Sequence, residues 1–345
     1  MNNLNYCASS FLLYRRVLNS NMCFANNRKP KTISNSWDKT PISNDEELEA
    51  HLKKVVQEKT KDGKCALALS GGIDSAILAR YMPKGSMAYT FKCTAGNIPT
   101  VDETQKAARY ARECGLRHKI IEITWKDMEE YAPILMQEKN APIHSIEVQI
   151  YMAGIQAKKD GYKKIIYGET ADVNYGGLSN ILSREWTVGE FIERYAYLKP
   201  WCALVEPEVD FSGIAQYIMK NGNVDVHNYL SKFDIIESIN SYINACETAG
   251  IEFVAPFADT YLSVPLDIER VRRGENKYFI RNIFNRLYMD FSIPDKLPMP
   301  RATDIWLKDW QGPIRREFIP NCAKNMTGDQ KWMLWALEKY MNMVD

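Results

Sequence analysis

Cys65-Ala66-Leu67-Ala68-Leu69-Ser70-Gly71-Gly72-Ile73-Asp74-Ser75 is the stretch on which the reading of this chain turns. Its first five residues form a short unbroken apolar run, the pattern of a strand buried on both faces. Ser70-Gly71-Gly72 lets the backbone turn tightly after that strand, so several N–H groups can point at one anion. The helix that follows adds its positive end, and the Ser70 and Ser75 hydroxyls can donate as well. No Gly-Lys-Ser/Thr follows, which excludes a Walker loop, and no third glycine follows, which excludes a dinucleotide fingerprint. Asp74 would repel a phosphate unless a divalent cation stood between them, so it argues for magnesium held jointly with the phosphates. A purely structural strand-to-helix turn also uses small residues; the order strand, Gly-Gly, Asp, helix favours the anion site.

Outward from this stretch, strands and helices alternate. Ser43-Asn44 caps a helix carrying Leu48, Leu52, Val55 and Val56, which stops near Gly63. After Ile73–Met82 as a helix come a strand over Met87–Phe91, a helix over Val101–Cys114 and a strand over Lys119–Ile123. Helical patterns at Trp125–Glu138 and Ile146–Lys159 precede a short strand, Lys163–Tyr167. The alternation predicts an α/β fold, a parallel sheet flanked by helices. Ligands in such sheets bind beyond the carboxyl ends of the strands, where both glycine turns fall. Past Gly177 the pattern turns mainly helical, with candidates at Asp234–Ala249, Asn276–Tyr288 and Gly328–Met343. The expected organisation is an arm over residues 1–45, an α/β core over 46–177, and a mainly helical region over 178–345 continuous with the core. Tyr6 to Leu18 is apolar enough to dock on something.

Tyr167-Gly168-Glu169-Thr170-Ala171-Asp172, followed by Gly176-Gly177, is the second informative stretch. It places two carboxylates three residues apart at a strand end; read alone, they could equally be solvated acids capping the next helix. Ser70–Ser75 resembles the Ser-Gly-Gly-x-Asp-Ser loop of the N-type ATP pyrophosphatases, which cut ATP between its α and β phosphates. The second stretch resembles the Gly-Glu-Gly-Ala-Asp-Glu-x-x-Gly-Gly run of the asparagine synthetase family within that group. The resemblance covers residues 64 to 300 and implies a Rossmann-like, adenine nucleotide α-hydrolase-like fold and an AMP-forming carbon–nitrogen ligase using ATP and Mg2+. It implies nucleotide contacts at Leu69, Ser70, Gly71, Gly72, Asp74, Ser75, Phe91 and Gly168, magnesium on Asp74 and Asp172, and Glu169 as the group that takes a proton from the amine. Thr170 stands where the family has glycine. A β-branched residue does not readily take a positive φ, so the turn is expected to differ there.

Weaker matches follow. Pro256-Phe257-Ala258-Asp259 resembles a segment framing the acceptor pocket, and Asn276-Lys277-Tyr278-Phe279-Ile280-Arg281 a helix start after it. Pro294-Asp295-Lys296 lies where the family places a basic residue on the pyrophosphate, a cation the leaving group's charge calls for; Lys296 is the first choice and Lys277 the second. Adenine contacts fall to Tyr89–Cys93, with Lys92 able to reach a phosphate instead. His144 and Glu147 head a helix near the same strand edge, where a histidine is more often a structural hydrogen-bonder than a catalyst.

Lys plus Arg is 44 against Asp plus Glu 43, which gives no electrostatic footprint for nucleic acid. No stretch approaches the roughly 20 apolar residues of a membrane helix. Eight scattered cysteines without a Cys-x-x-Cys pair argue against a zinc or redox site and for a reducing, cytoplasmic setting. Glutamine-dependent relatives carry a glutaminase domain in front; about 60 residues precede the first strand here, too few to build one. The nitrogen is therefore expected from free ammonia, an amine substrate, or a separate glutaminase partner, with a small carboxylate as acceptor. The rivals are a tRNA-modifying ligase or thiolase and a non-catalytic ATP-binding relic.

Overall fold

The structure is a computed structural model and describes residues 1–32, 39–295, 297 and 299–345. Seven strands are present among these: β1 Thr40–Ile42, β2 Cys65–Ala68, β3 Met87–Cys93, β4 Arg117–Ile123, β5 Lys164–Ile166, β6 Glu252–Val254 and β7 Thr260–Leu262. Five form one sheet in the order β4-β3-β2-β5-β6, every pair parallel. β2 has no exposed residue. Its alternate side chains divide between two cores: Ala66 and Ala68 pack with Tyr89, Ile123 and Ile165, while Cys65 and Leu67 pack with Ala88, Ile166 and Val254. That division is what a strand covered on both faces requires.

Helices supply the cover: α1 Leu4–Tyr14, α2 Asp45–Thr60, α3 Ile73–Tyr81, α4 Thr104–Glu113, α5 Trp125–Lys139, α6 Glu147–Lys159 and the short α7 Ala171–Asn174, followed by the longer helices Ile235–Ala249, Tyr278–Leu287 and Gly328–Val344. The sheet runs outward from β2 to β3 and β4 on one side, then returns to β5 and β6 on the other. β2 and β5 therefore flank the switch point, where the loops leaving two adjacent strands diverge and open a crevice.

The first segment docks on the rest of the chain through α1. Tyr6 to Tyr14 are all buried, and α1 is capped by Asn3, whose Oδ1 accepts from the Tyr6 N–H at 3.0 Å. α1 shares its core with Trp332, Leu337 and Tyr340 of the Gly328–Val344 helix. Residues 40–42 are likewise tied in, because β1 pairs with β7. A buried ion network joins α5, α6 and the Ile235–Ala249 helix: Lys139 Nζ reaches Glu147 at 2.9 Å and Glu237 at 2.8 Å. No helix among the described residues is long and apolar enough to cross a membrane.

Candidate active site

The loops after β2 and β5 meet over a cavity of about 450 Å3. On the β2 side the two serines pin the loop. The Ser70 N–H donates to Ser75 Oγ at 3.0 Å, the two hydroxyls lie 2.9 Å apart, and the Gly72 N–H donates to Ser70 Oγ at 3.1 Å. Gly72 then caps α3 with extended backbone and no side chain in the way, so the first turn opens on the cavity. Leu69, Ser70, Gly72, Asp74 and Ser75 line it, as do Thr90 and Phe91 at the end of β3. Gly71 does not line it, and an added Cβ there would stand 3.0 Å from the Oε1 of Glu103, which does.

From the β5 side come Gly168, Glu169 and Asp172. Gly168 fits because an added Cβ would press on Asp74 at 3.2 Å and on the Ser75 amide at 3.3 Å; the two loops touch there. Lys277 closes the site. Its Nζ donates to Asp74 Oδ2 at 2.5 Å and pairs with Asp172 Oδ1 at 2.8 Å, so one ammonium ties a residue of each loop. Burial pulls this ammonium down, the two carboxylates push it up, and the net direction is up: it stays protonated. Gly177 leaves the room this needs, since a Cβ would fall 2.0 Å from Asp172 Oδ1 and 2.3 Å from Lys277 Cε.

Glu169 keeps a surface on the cavity while the protein around it desolvates its carboxyl. That burial raises its pKa above the ordinary carboxylate range, against the stabilising hydrogen bonds of Ser238 and Tyr242. The Ser238 Oγ–H donates to Glu169 Oε1 at 2.5 Å. Ser238 and Tyr242 stand one turn apart on the Ile235–Ala249 helix, and sequence reasoning passed over both. An amphipathic helix with a serine and a tyrosine four residues apart was the sole trace they left.

Several expectations are corrected. Thr170 does adopt the left-handed conformation, at φ 70° and ψ −8°, so the turn is kept and the residue is strained. Its buried Oγ1 has no hydrogen-bond partner among the described residues. Lys92 does not line the cavity; it pairs with Asp102 at 2.9 Å. Pro256–Asp259 does not line it either: Phe257 is fully buried in the core beside Tyr175, and its carbonyl accepts from Asn174 and Thr260. His144, as the structural reading expects, lies away from it together with Glu147, which accepts from Lys139 and from Asn244 at 2.8 Å. Lys296 lies outside the described residues.

The sequence model of the asparagine synthase family matches residues 47–229, more than half of the chain. The chain belongs to the asparagine synthase family. As a member of it, the protein is an ATP-utilising, ligase-type enzyme of the ATP pyrophosphatase kind. No curated protein matches. Among solved structures it is similar to the NH3-dependent NAD synthetase of Campylobacter jejuni, at 14% identity over 74% of this chain and 100% of that one, TM-score 0.27. It is also similar to the U34-tRNA thiolase NcsA of Methanococcus maripaludis, at 12% over 87% and 82%, TM-score 0.33. The NMN synthetase of Francisella tularensis gives 11% over 74% and 100%, TM-score 0.30. The asparagine synthase match spans both loops of the cavity, and Lys277 lies beyond it.

Proposed function

We propose that this asparagine synthase family member adenylates a small carboxylate and then transfers ammonia or an amine to it. In the first step a carboxylate oxygen attacks the α-phosphorus of ATP, the bond to the bridging oxygen breaks, and pyrophosphate leaves. In the second, nitrogen attacks the acyl carbon, AMP leaves, and Glu169 takes the proton the nitrogen sheds. The observation that carries the reading is the meeting of Asp74 and Asp172, from loops on opposite sides of the switch point, on one Lys277 ammonium, with Glu169 on the same turn as Asp172. One loop serves the phosphates and the other serves the acyl transfer.

In this reading Leu69 and Phe91 face the adenine, and Ser70, Gly72, Ser75 and the start of α3 take the phosphates. Gly71 keeps the loop close to Glu103, and Gly168 lets the two loops touch. The donor chemistry suits magnesium. The described wall carries five carboxylates (Asp74, Glu103, Glu169, Asp172 and Asp295) against two cations, Lys277 and Arg281. A polyphosphate entering that field needs a divalent cation beside it. Among the described residues no group of three or more His, Cys, Asp or Glu is placed to hold a metal alone, so Asp74 and Asp172 would share it with phosphate oxygens and waters. Bound there, magnesium would offset the charge of the departing pyrophosphate. Lys277 and Lys296 are assigned to that pyrophosphate as well. We place the enzyme in the cytoplasm, where its free cysteines would stay reduced, with the nitrogen supplied as ammonia, as an amine, or by a separate glutaminase.

Pyrophosphate release measured over a panel of carboxylic acids, with and without ammonia, tests this. Release that depends on one acid, and amide formed only with an amine present, is the expected result. ATP binding without release for any acid would point to a relic, and tight, salt-sensitive, specific tRNA binding would point to the tRNA-modifying alternative.

A further inference from the structure

The two cations of the cavity wall are not equivalent. Lys277, assigned to the pyrophosphate above, also has both Asp74 and Asp172 on its ammonium. Arg281 has no carboxylate partner among the described residues; its Nη2 donates to the neutral Asn276 Oδ1 at 2.6 Å. Arginine carries five N–H donors in a flat fork and does not lose its charge, so a guanidinium fixed along one edge by an amide has donors left for a ligand. Both Asn276 and Arg281 line the cavity.

The position of Arg281 selects the ligand. Its backbone N–H donates to the Lys277 carbonyl at 2.8 Å, which sets it one turn beyond Lys277 at the start of the Tyr278–Leu287 helix. That helix packs on α3 through a core containing Ile280, Ile283 and Phe284 with Ala76 and Ile77. α3 begins in the Ser70–Ser75 loop. Arg281 therefore belongs to the layer that covers the phosphate loop, whereas Glu169 lies against Ser238 and Tyr242 of another helix. We infer that Arg281 is the bidentate ligand of the β and γ phosphates and of the pyrophosphate they become. This rests on the ligase reading above and adds a residue that reading leaves without a role. Its fork meets two non-bridging oxygens, and the contact strengthens as charge gathers on the leaving group.

Calorimetric titration of the full chain with magnesium pyrophosphate, and separately with AMP, tests the inference without the carboxylate being known. Arg281→Gln is expected to weaken pyrophosphate binding by about tenfold or more while AMP binding holds within about twofold. Arg281→Lys, which keeps the charge and loses the fork, should fall between the two. Pyrophosphate affinity equal to that of the parent in either variant, or equal loss for pyrophosphate and AMP, overturns the assignment. If Arg281→Gln does not fold, the Arg281→Lys titration decides by the same criteria. A parent protein that binds no magnesium pyrophosphate at all defeats the ligase reading itself, and this inference with it.

Discussion

The two loops that build the site solve different problems. Ser70–Ser75 is relaxed: small residues, two serines pinning each other, an extended Gly72, and a helix start that opens on the cavity. The Gly168–Gly177 turn is strained at Thr170, φ 70°, and it is answered across the cavity by Lys277 at φ 52°. Gripping a phosphate needs only backbone amides, which any well-made turn supplies. Aiming two carboxylates and an ammonium at a common point needs side chains in fixed places, and the chain accepts unfavourable backbone to hold them.

The comparison breaks most visibly at Asp74, the side chain through which the relaxed loop joins the other. Asp74→Ala should abolish pyrophosphate release, a loss of about a thousandfold or more if it holds magnesium beside the phosphates. Residual release near the parent rate would show that the loop works by its amides alone. A smaller and more selective loss is expected on the strained side. Glu169→Ala should spare acid-dependent pyrophosphate release and slow amide formation by about 10²–10⁴-fold; equal loss of both half-reactions would remove its assignment as the base.

Ser238 sharpens the same point through pH. Burial raises the Glu169 carboxyl, so the base form, and amide formation with it, is lost as pH falls through a value above the ordinary carboxylate range. Ser238 donates to the anion and opposes that rise. Ser238→Ala should therefore move the acid limb of amide formation to higher pH, by about one unit or less, while the pH profile of pyrophosphate release stays in place. An unmoved acid limb would leave Ser238 a packing residue. The smallest effect belongs to the backbone itself. Thr170→Gly should relieve left-handed strain and raise stability by about 1 kcal/mol, read as a higher denaturation midpoint; a lower midpoint would mean that Thr170 packing outweighs its strain.

Legibility followed the same division. The buried β2 run and the glycine turns could be read because each is contiguous and its chemistry is local. Sequence periodicity also marked α2, α3, α6 and the Gly328–Val344 helix. What escaped was built from separation. β6 is three residues long, too short for any period to register, and is a strand because β5 lies beside it. β1 and β7 define each other across the fold in the same way. Ser238 lies 69 residues from Glu169, and nothing in its neighbourhood marks it as that carboxylate's partner. Lys92 misled because it follows Phe91 in the chain, and Pro256–Asp259 because it resembles a pocket-framing segment; Asp102 and the core claim them first.

The docking of α1 on the Gly328–Val344 helix has a consequence for how the molecule is made. Asn26 reaches the carbonyl of Val344, 318 residues away, and Phe24 meets Tyr340 edge to face. α1 is made well before the Gly328–Val344 helix it packs against. At about 5–20 residues per second, ribosomal synthesis keeps the two apart for tens of seconds. For that interval Tyr6, Phe11 and Leu12 lack their final cover. Those apolar side chains are therefore exposed longest while the chain is being made, and are where a partly made chain is open to aggregation.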